Sequence, residues 1–257
     1  MDVRIARTCL ILTAFLALTL SGCSDDDPAG PEEFQVRITV RDTLGDPVEG
    51  LELTMAPDSP LYMDGKLRDV PGDSLGYTLS GPTPNPFFPA TTIRFAAAQA
   101  CWAELVIEDV ARGPVRNLIA QEIPAGSHAV MWDGQDDGEQ TVPSGIYYAR
   151  LVMSEEEVGE ILFEGSLPML LAHWGEGSPT LATTDADGRL VLTDRRLFPY
   201  LFDVEPFPAV DEVGDQIGII DLTPTMRFYL ADPVQEHMLR FDEDVTGRAS
   251  FTFTWEY

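Results

Sequence analysis

Positive charge is scarce in this chain. Sixteen Lys and Arg face 43 Asp and Glu, a formal net charge of −27 at pH 7 over 257 residues. Binding to phosphate polyanions needs basic patches, so this balance argues against nucleic acid or anionic headgroups as partners. It fits an extracytoplasmic surface, or one that meets divalent cations. Cysteine is scarce too, at three. Cys9 and Cys23 sit at the start of the chain, which leaves Cys101 alone and excludes an intrachain disulfide in the processed form; it reads as a buried strand-edge thiol. His128, His173 and His237 are scattered without metal-ligand spacing. No Gly-x-Ser-x-Gly, phosphate loop or Cys/His zinc pattern occurs. Ser, His and Asp are present, but no spacing groups them into a nucleophilic triad. The sequence predicts no catalytic residue, no cofactor and no enzyme.

What is present begins with a targeting segment. Arg4 and Arg7 precede an apolar run, Thr8 to Leu20, too short to span a bilayer comfortably. Leu20-Ser21-Gly22-Cys23 follows and resembles a bacterial lipobox: small residues before the cut, then a thiol to carry lipid. Cys23 is the expected lipidation site, and buried acyl chains contribute about 0.8 kcal/mol per CH₂ to anchoring. Ser24, rather than Asp, in the next position points to the outer membrane, with the protein facing the periplasm or the exterior. Residues 1–22 are read as the lipoprotein signal peptide and 23–33 as an acidic tether.

The most informative stretch runs from Pro84 to Leu151. Pro84, Pro86 and Pro89 remove backbone donors and exclude a helix or a central strand there. Ile93 and Phe95 then alternate with polar residues. Ala103, Leu105 and Ile107 fall on one face of the next run, Trp102, Glu104, Val106 and Glu108 on the other. Val130 and Trp132, then Tyr147, Ala149 and Leu151, repeat the period of two expected of half-buried strands. Arg112-Gly113-Pro114, Pro124-Ala125-Gly126 and Asp133 to Gly138 are turns between them. Many short strands at regular spacing predict an immunoglobulin-like sandwich.

The order Pro84-Asn85-Pro86-Phe87, Thr91-Thr92-Ile93-Arg94-Phe95, a hydrophobic strand ending in Asp109, Val115-Arg116-x-Leu118, Pro124-Ala125-Gly126-x-His128, Trp132-Asp133-Gly134 and Ser144-Gly145-Ile146-Tyr147 resembles the FlgD Ig-like module. It is also similar to the C-terminal sorting modules of type 9 secretion cargo. The resemblance implies a structural or assembly role, and covers roughly Leu79 to Leu171.

On either side lie strands of another kind. Phe34, Val36, Ile38 and Val40 alternate strictly, Asp42 to Gly50 is a turn region, and Leu51, Leu53 and Met55 read as the partner strand. Ala56 to Ser74 reads as irregular. This opening resembles carboxypeptidase-regulatory-like and transthyretin-like sandwiches, and Thr180 to Leu192, around Asp187-Gly188, resembles the later hairpin of the same fold. Two strands cannot bury a core alone. The expected fold is therefore all-β, with two Ig-like or transthyretin-like β-sandwich domains. Residues 75–172 are expected to form the FlgD-like one, inserted into a discontinuous sandwich of 34–60 plus 173–257, with a row of separate small domains as the alternative.

Two acidic loops invite a metal reading. Asp133, Asp136 and Asp137, and separately Asp185 and Asp187, place carboxylates beside a Gly turn, as calcium loops do. Each lacks the later acidic ligand of an EF-hand, and each better matches a hairpin turn whose backbone geometry demands Asp-Gly. Trp102, Trp174 and Tyr148 are the candidates for an aromatic glycan platform, against a core role. The expected partners are the membrane, through lipid on Cys23, and an envelope or extracellular protein or glycan. The function class is a non-enzymatic scaffold or display protein, with a surface binding module, a secretion cargo or an accessory subunit as alternatives.

Overall fold

The computed structural model of the chain describes residues 34–57, 61–62, 76–173, 178–235, 237–246 and 248–256. Residues 1–33, including Cys23 and the segment read as a signal peptide, and Trp174 lie outside the described residues. The strands are β1 (Val36–Asp42), β2 (Glu52–Pro57), β3 (Leu61–Tyr62), β4 (Thr78–Thr83), β5 (Thr91–Ala97), β6 (Cys101–Asp109), β7 (Pro114–Ile123), β8 (Gly126–Trp132), β9 (Gly145–Ser154), β10 (Ile161–Leu171), β11 (Ala182–Thr183), β12 (Arg189–Leu192), β13 (Phe207–Val210), β14 (Gln216–Ile220), β15 (Thr225–Asp232), β16 (His237–Asp244) and β17 (Ala249–Trp255). Two short 3₁₀ turns, Arg195–Leu197 and Pro199–Leu201, interrupt them.

The central strands form two facing sheets, β4-β5-β8 and β10-β9-β6-β7. The period of two seen in β5 and β6 sets their inner faces: Ile93, Phe95, Ala103, Leu105 and Ile107 are buried. Trp132 closes this core, fully buried between Phe87 (ring centroids 5.5 Å apart) and Tyr147 (5.1 Å). Cys101 is buried at the first position of β6, an inner strand, and burial raises its thiol pKa.

A second core draws on both ends of the described chain. β1 pairs antiparallel with β12 (Val36 opposite Leu192) and parallel with β17, from Val36–Ala249 to Asp42–Trp255. β2 pairs with β15 (Leu53 opposite Leu230) and with β11. The sheets β12-β1-β17 and β11-β2-β15-β16 enclose Ile38, Leu53, Phe228 and Trp255. Each sheet joins strands that precede the central module in sequence to strands that follow it.

Three readings of the sequence are corrected here. Leu51, Leu53 and Met55 are not the partner of β1: β1 and β2 lie in opposite sheets, and the turn after β1 crosses between them. Nor do β11 and β12 form a hairpin, because their partners are β2 and β1 respectively. In both places the local turn is correct. The hydrogen bonds that assign a strand to a sheet, however, come from residues more than a hundred positions away. Third, the stretch read as irregular contains β3, whose Leu61–Tyr62 pairs with β14 beside β13.

A further correction concerns β9. Its alternation predicted one buried face, yet Ile146 and Tyr148 are buried along with Tyr147, Ala149 and Leu151. The outer face is covered by the β13–β14 hairpin: Val110, Ile146, Tyr148, Leu170, Phe207, Ala209 and Ile220 form a third apolar cluster between the two sandwiches. Asn85, itself buried, fastens this junction. Its Oδ1 accepts from Leu170 N (2.9 Å), its Nδ2 donates to Pro208 O (3.1 Å), and its backbone exchanges two hydrogen bonds with Val210.

Candidate functional site

Beside that junction lies a cleft of about 430 Å³. The start of β9 forms its floor, with Ile146 and Tyr147. One wall is the loop carrying Asp136 and Asp137, and the other is the 3₁₀ turn Arg195–Leu197 with Asp194 before it. Arg196 is the cation of the site. Its Nη2 donates to Asp194 Oδ2 (2.7 Å), its Nε to Asp194 Oδ1 (2.9 Å), and its Nη1 to Asp109 Oδ2 (3.2 Å). These carboxylates raise the arginine pKa, and the hydrogen bonds from Arg196 hold Asp194 below the usual carboxylate range. The Tyr147 hydroxyl donates to Pro143 O (2.7 Å); burial, reinforced by Asp109, pushes its pKa well up, so it is a neutral donor across the physiological range. Four carboxylates against one guanidinium leave the cleft acidic.

The cleft assembles no nucleophile–base pair from these residues. Ser144 Oγ accepts from the backbone N–H of His173 (2.9 Å), while the His173 ring lies with Nε2 3.1 Å from Val142 O. Burial lowers the His173 pKa, so the imidazole is neutral at pH 7. His128 stacks on Phe95 (5.2 Å), and His237 meets the Trp255 ring edge-on (5.1 Å). The histidines are thus spread over separate parts of the fold.

The calcium candidates take up another role. Asp136 Oδ1 accepts from the N–H groups of Gly138 (2.8 Å) and Gln140 (2.9 Å), and Asp185 Oδ1 from Asp187 (2.9 Å) and Arg189 (2.8 Å). Asp42, Asp109 and Asp211 do the same, each to the second and fourth residues onward. All five build one turn, in which the aspartate caps the loop backbone. The residue three on has positive φ: Gly45, Arg112, Glu139, Gly188 and Gly214. Asp133 accepts from Gln135 N, Asp137 from Asn117 N, and Asp187 pairs with Arg189. No group of three or more His, Cys, Asp or Glu among the described residues is placed to hold a metal ion. These five aspartates thus have a backbone role in their turns. Glu139 holds φ +60° without being glycine, in an exposed loop. The left-handed conformation costs an L-residue roughly 1–2 kcal/mol, partly offset by glycine's extra chain entropy. Glu139→Gly is expected to stabilise the protein by about 0.5 kcal/mol, read as a higher midpoint in urea at unchanged slope.

The structure separates the aromatic platform. Tyr148 is buried under the Arg112 guanidinium, 3.4 Å from its ring centroid, because the β13–β14 hairpin covers that end of the sheet. Trp102 lies on the same outer face, opposite Ser154, six residues along β6 from Glu108, the partner of Tyr148, so about 20 Å away. The sequence reading missed Asp109, Asp194 and Arg196 as one site. Asp109 ends a recognisable strand, but nothing local announces that Arg196, 87 residues later, will meet it.

Compared with known proteins, residues 89–157 match the family model of the FlgD Ig-like domain, about a quarter of the chain, spanning β5 to β9. No curated protein matches the chain at a significant level.

Proposed function

We propose that this chain is a non-enzymatic, lipid-anchored protein of the cell envelope that scaffolds or displays something outside the cytoplasm. In this reading the FlgD-like module is carried as an insertion within a discontinuous regulatory-like or transthyretin-like sandwich. The observation that carries it is the junction between the sandwiches. Domains in one chain move independently unless their interface is substantial and apolar. Here Ile146, Tyr148, Leu170, Phe207 and Ile220 are buried between them and Asn85 bonds across, so the two form one stiff body. A stiff body behind a short acidic tether is a spacer, suited to holding a surface at a set distance. The lipobox-like Leu20-Ser21-Gly22-Cys23 supplies the anchor, and Ser24 favours the outer membrane.

The test is cell fractionation with protease shaving, comparing wild type with Cys23→Ala. Wild type should remain in the membrane fraction and the variant should be released. Equal solubility of the two would remove the anchor from the proposal. Clipping of wild type on intact cells would assign it to the exterior, and protection until the outer membrane is broken would assign it to the periplasm.

The acidic cleft beside Arg196 favours a second reading, a surface binding module for a protein or glycan ligand. Under it, Arg196→Ala should abolish ligand retention while leaving the unfolding free energy within about 1 kcal/mol of wild type, because the guanidinium that makes both ion pairs is itself half-exposed.

A further inference from the structure

The outer face of the sheet β12-β1-β17 departs from the rest of this acidic molecule. Alternation along β1 turns Val36, Ile38 and Val40 inward and Arg37, Thr39 and Arg41 outward. The pairing register adds Arg189 and Val191 from β12 and Ser250, Thr252 and Thr254 from β17 to that outward face. Arg248, exposed two residues before Ser250, extends it. The face thus carries four guanidiniums and a field of hydroxyls, with no carboxylate among those positions, in a chain where acids outnumber bases 43 to 16. Among the described residues, the carboxylates bordering this face lie at one rim, where Asp187 pairs with Arg189 (3.3 Å) and Glu256 follows β17. Arg37, Arg41 and Arg248 form no ion pair with any described residue. Among the described residues, the end of the face without carboxylates is therefore the start of β1, with Arg37 and Arg248.

That end is also where the chain arrives from Cys23. Twelve residues separate Cys23 from Val36, so β1 begins within at most about 47 Å of contour from the proposed acyl chains. We infer that this face lies on the bilayer, with Arg37 and Arg248 directed at the phosphates of the headgroups in the leaflet that carries the anchor. The inference rests on the lipid-anchored reading and deepens it by assigning the surface that meets the membrane. The net charge of −27 describes the whole surface, but charge–charge interaction is screened over about 8–10 Å at physiological salt, so what faces the membrane decides. Guanidiniums match phosphate oxygens through paired N–H donors, and the Thr and Ser hydroxyls beside them add donors at the same level. Apart from the tether, the acidic remainder of the chain is repelled from the same leaflet, which fixes the orientation from the other side.

The test uses the acylated protein in bilayers of phosphatidylcholine alone, or with about a third phosphatidylglycerol, containing a headgroup-level quencher. A fluorophore at Thr252→Cys reports on the face, and one at Ser127→Cys, on exposed β8, serves as the control. Quenching at position 252 should be roughly threefold greater on the anionic bilayer, fall away in about 1 M salt, and lose its lipid dependence in the Arg37→Gln/Arg248→Gln double variant. Position 127 should be indifferent throughout. Protein that floats with both bilayers but shows equal quenching at 252, or a difference that survives the double substitution, overturns the assignment of this face while leaving the anchor intact. Protein that does not float with either bilayer overturns the anchor itself, and the orientation with it.

Discussion

Trp132→Ala is expected to destabilise the protein by about 3–5 kcal/mol, the range for removing a large aromatic from a packed core. Trp132 is fully buried, contacts the rings of Phe87 and Tyr147, and donates through Nε1 to Gln135 O (2.9 Å). Truncation opens a cavity between the two central sheets and leaves the Gln135 carbonyl without its partner. For a unit of this size the loss corresponds to a fall of about 10 °C in the thermal midpoint. Scanning calorimetry beside Trp132→Phe, which keeps the ring contacts but not the N–H, separates the contributions. A fall under about 1 kcal/mol in the alanine variant would mean that the core is not closed by this residue.

Gly188→Ala is the corresponding test of the other sandwich, with an expected cost of about 3 kcal/mol. Two causes add. Gly188 has φ +68°, where a Cβ costs about 1–2 kcal/mol. A Cβ there would also sit 2.4 Å from the Val40 carbonyl oxygen and 3.0 Å from Val48 N, both backbone atoms that cannot swing away. Relief requires the turn to pull off β1, which breaks the hydrogen bond from Val40 N to Gly188 O (2.7 Å). Gly45→Ala is a useful comparison: φ is +91°, but nothing lies within 4 Å of the added methyl, so the strain acts without the clash and the cost should be about half. Equal effects at 45 and 188 would refute the close approach to Val40.

These two substitutions lie in different cores, and together they probe the junction. With Phe207, Ile220 and Tyr148 buried between the sandwiches, both variants should shift a single calorimetric transition. Two separated transitions, each sensitive to only one substitution, would show that the modules unfold independently, and would withdraw the stiffness on which the scaffold reading depends.

The inner faces of β1, β5 and β6 were legible because one apolar face against solvent leaves a period of two in the residues. The turns were legible because Asp with Gly or a polar residue three positions on has a local backbone cause. Tyr148 was misread for a related reason. Its alternation placed it on an outer face, and only the arrival of β13 and β14, some sixty residues later, covers that face. The cleft was half legible: Asp136 and Asp137 stood out as an acidic loop, but their companions Asp109, Asp194 and Arg196 are brought in by the fold.

By itself the sequence determined that this is an all-β protein of short strands, where several of those strands run and which face of them holds the core, and that the segment from Pro84 onward resembles a FlgD Ig-like module. These are properties of neighbours one to four positions apart, set by backbone sterics and by the burial of alternate side chains. Only the tertiary structure decided which sheet each strand joins, that β1 lies parallel to β17, that the outer face of β9 is covered, and that four arginines from β1, β12 and the start of β17 share one face. Those outcomes depend on hydrogen bonds and apolar contacts between residues from tens to more than two hundred positions apart. Every strand edge offers the same backbone donors and acceptors, so the choice among partners is made by how whole faces pack, which no local pattern encodes.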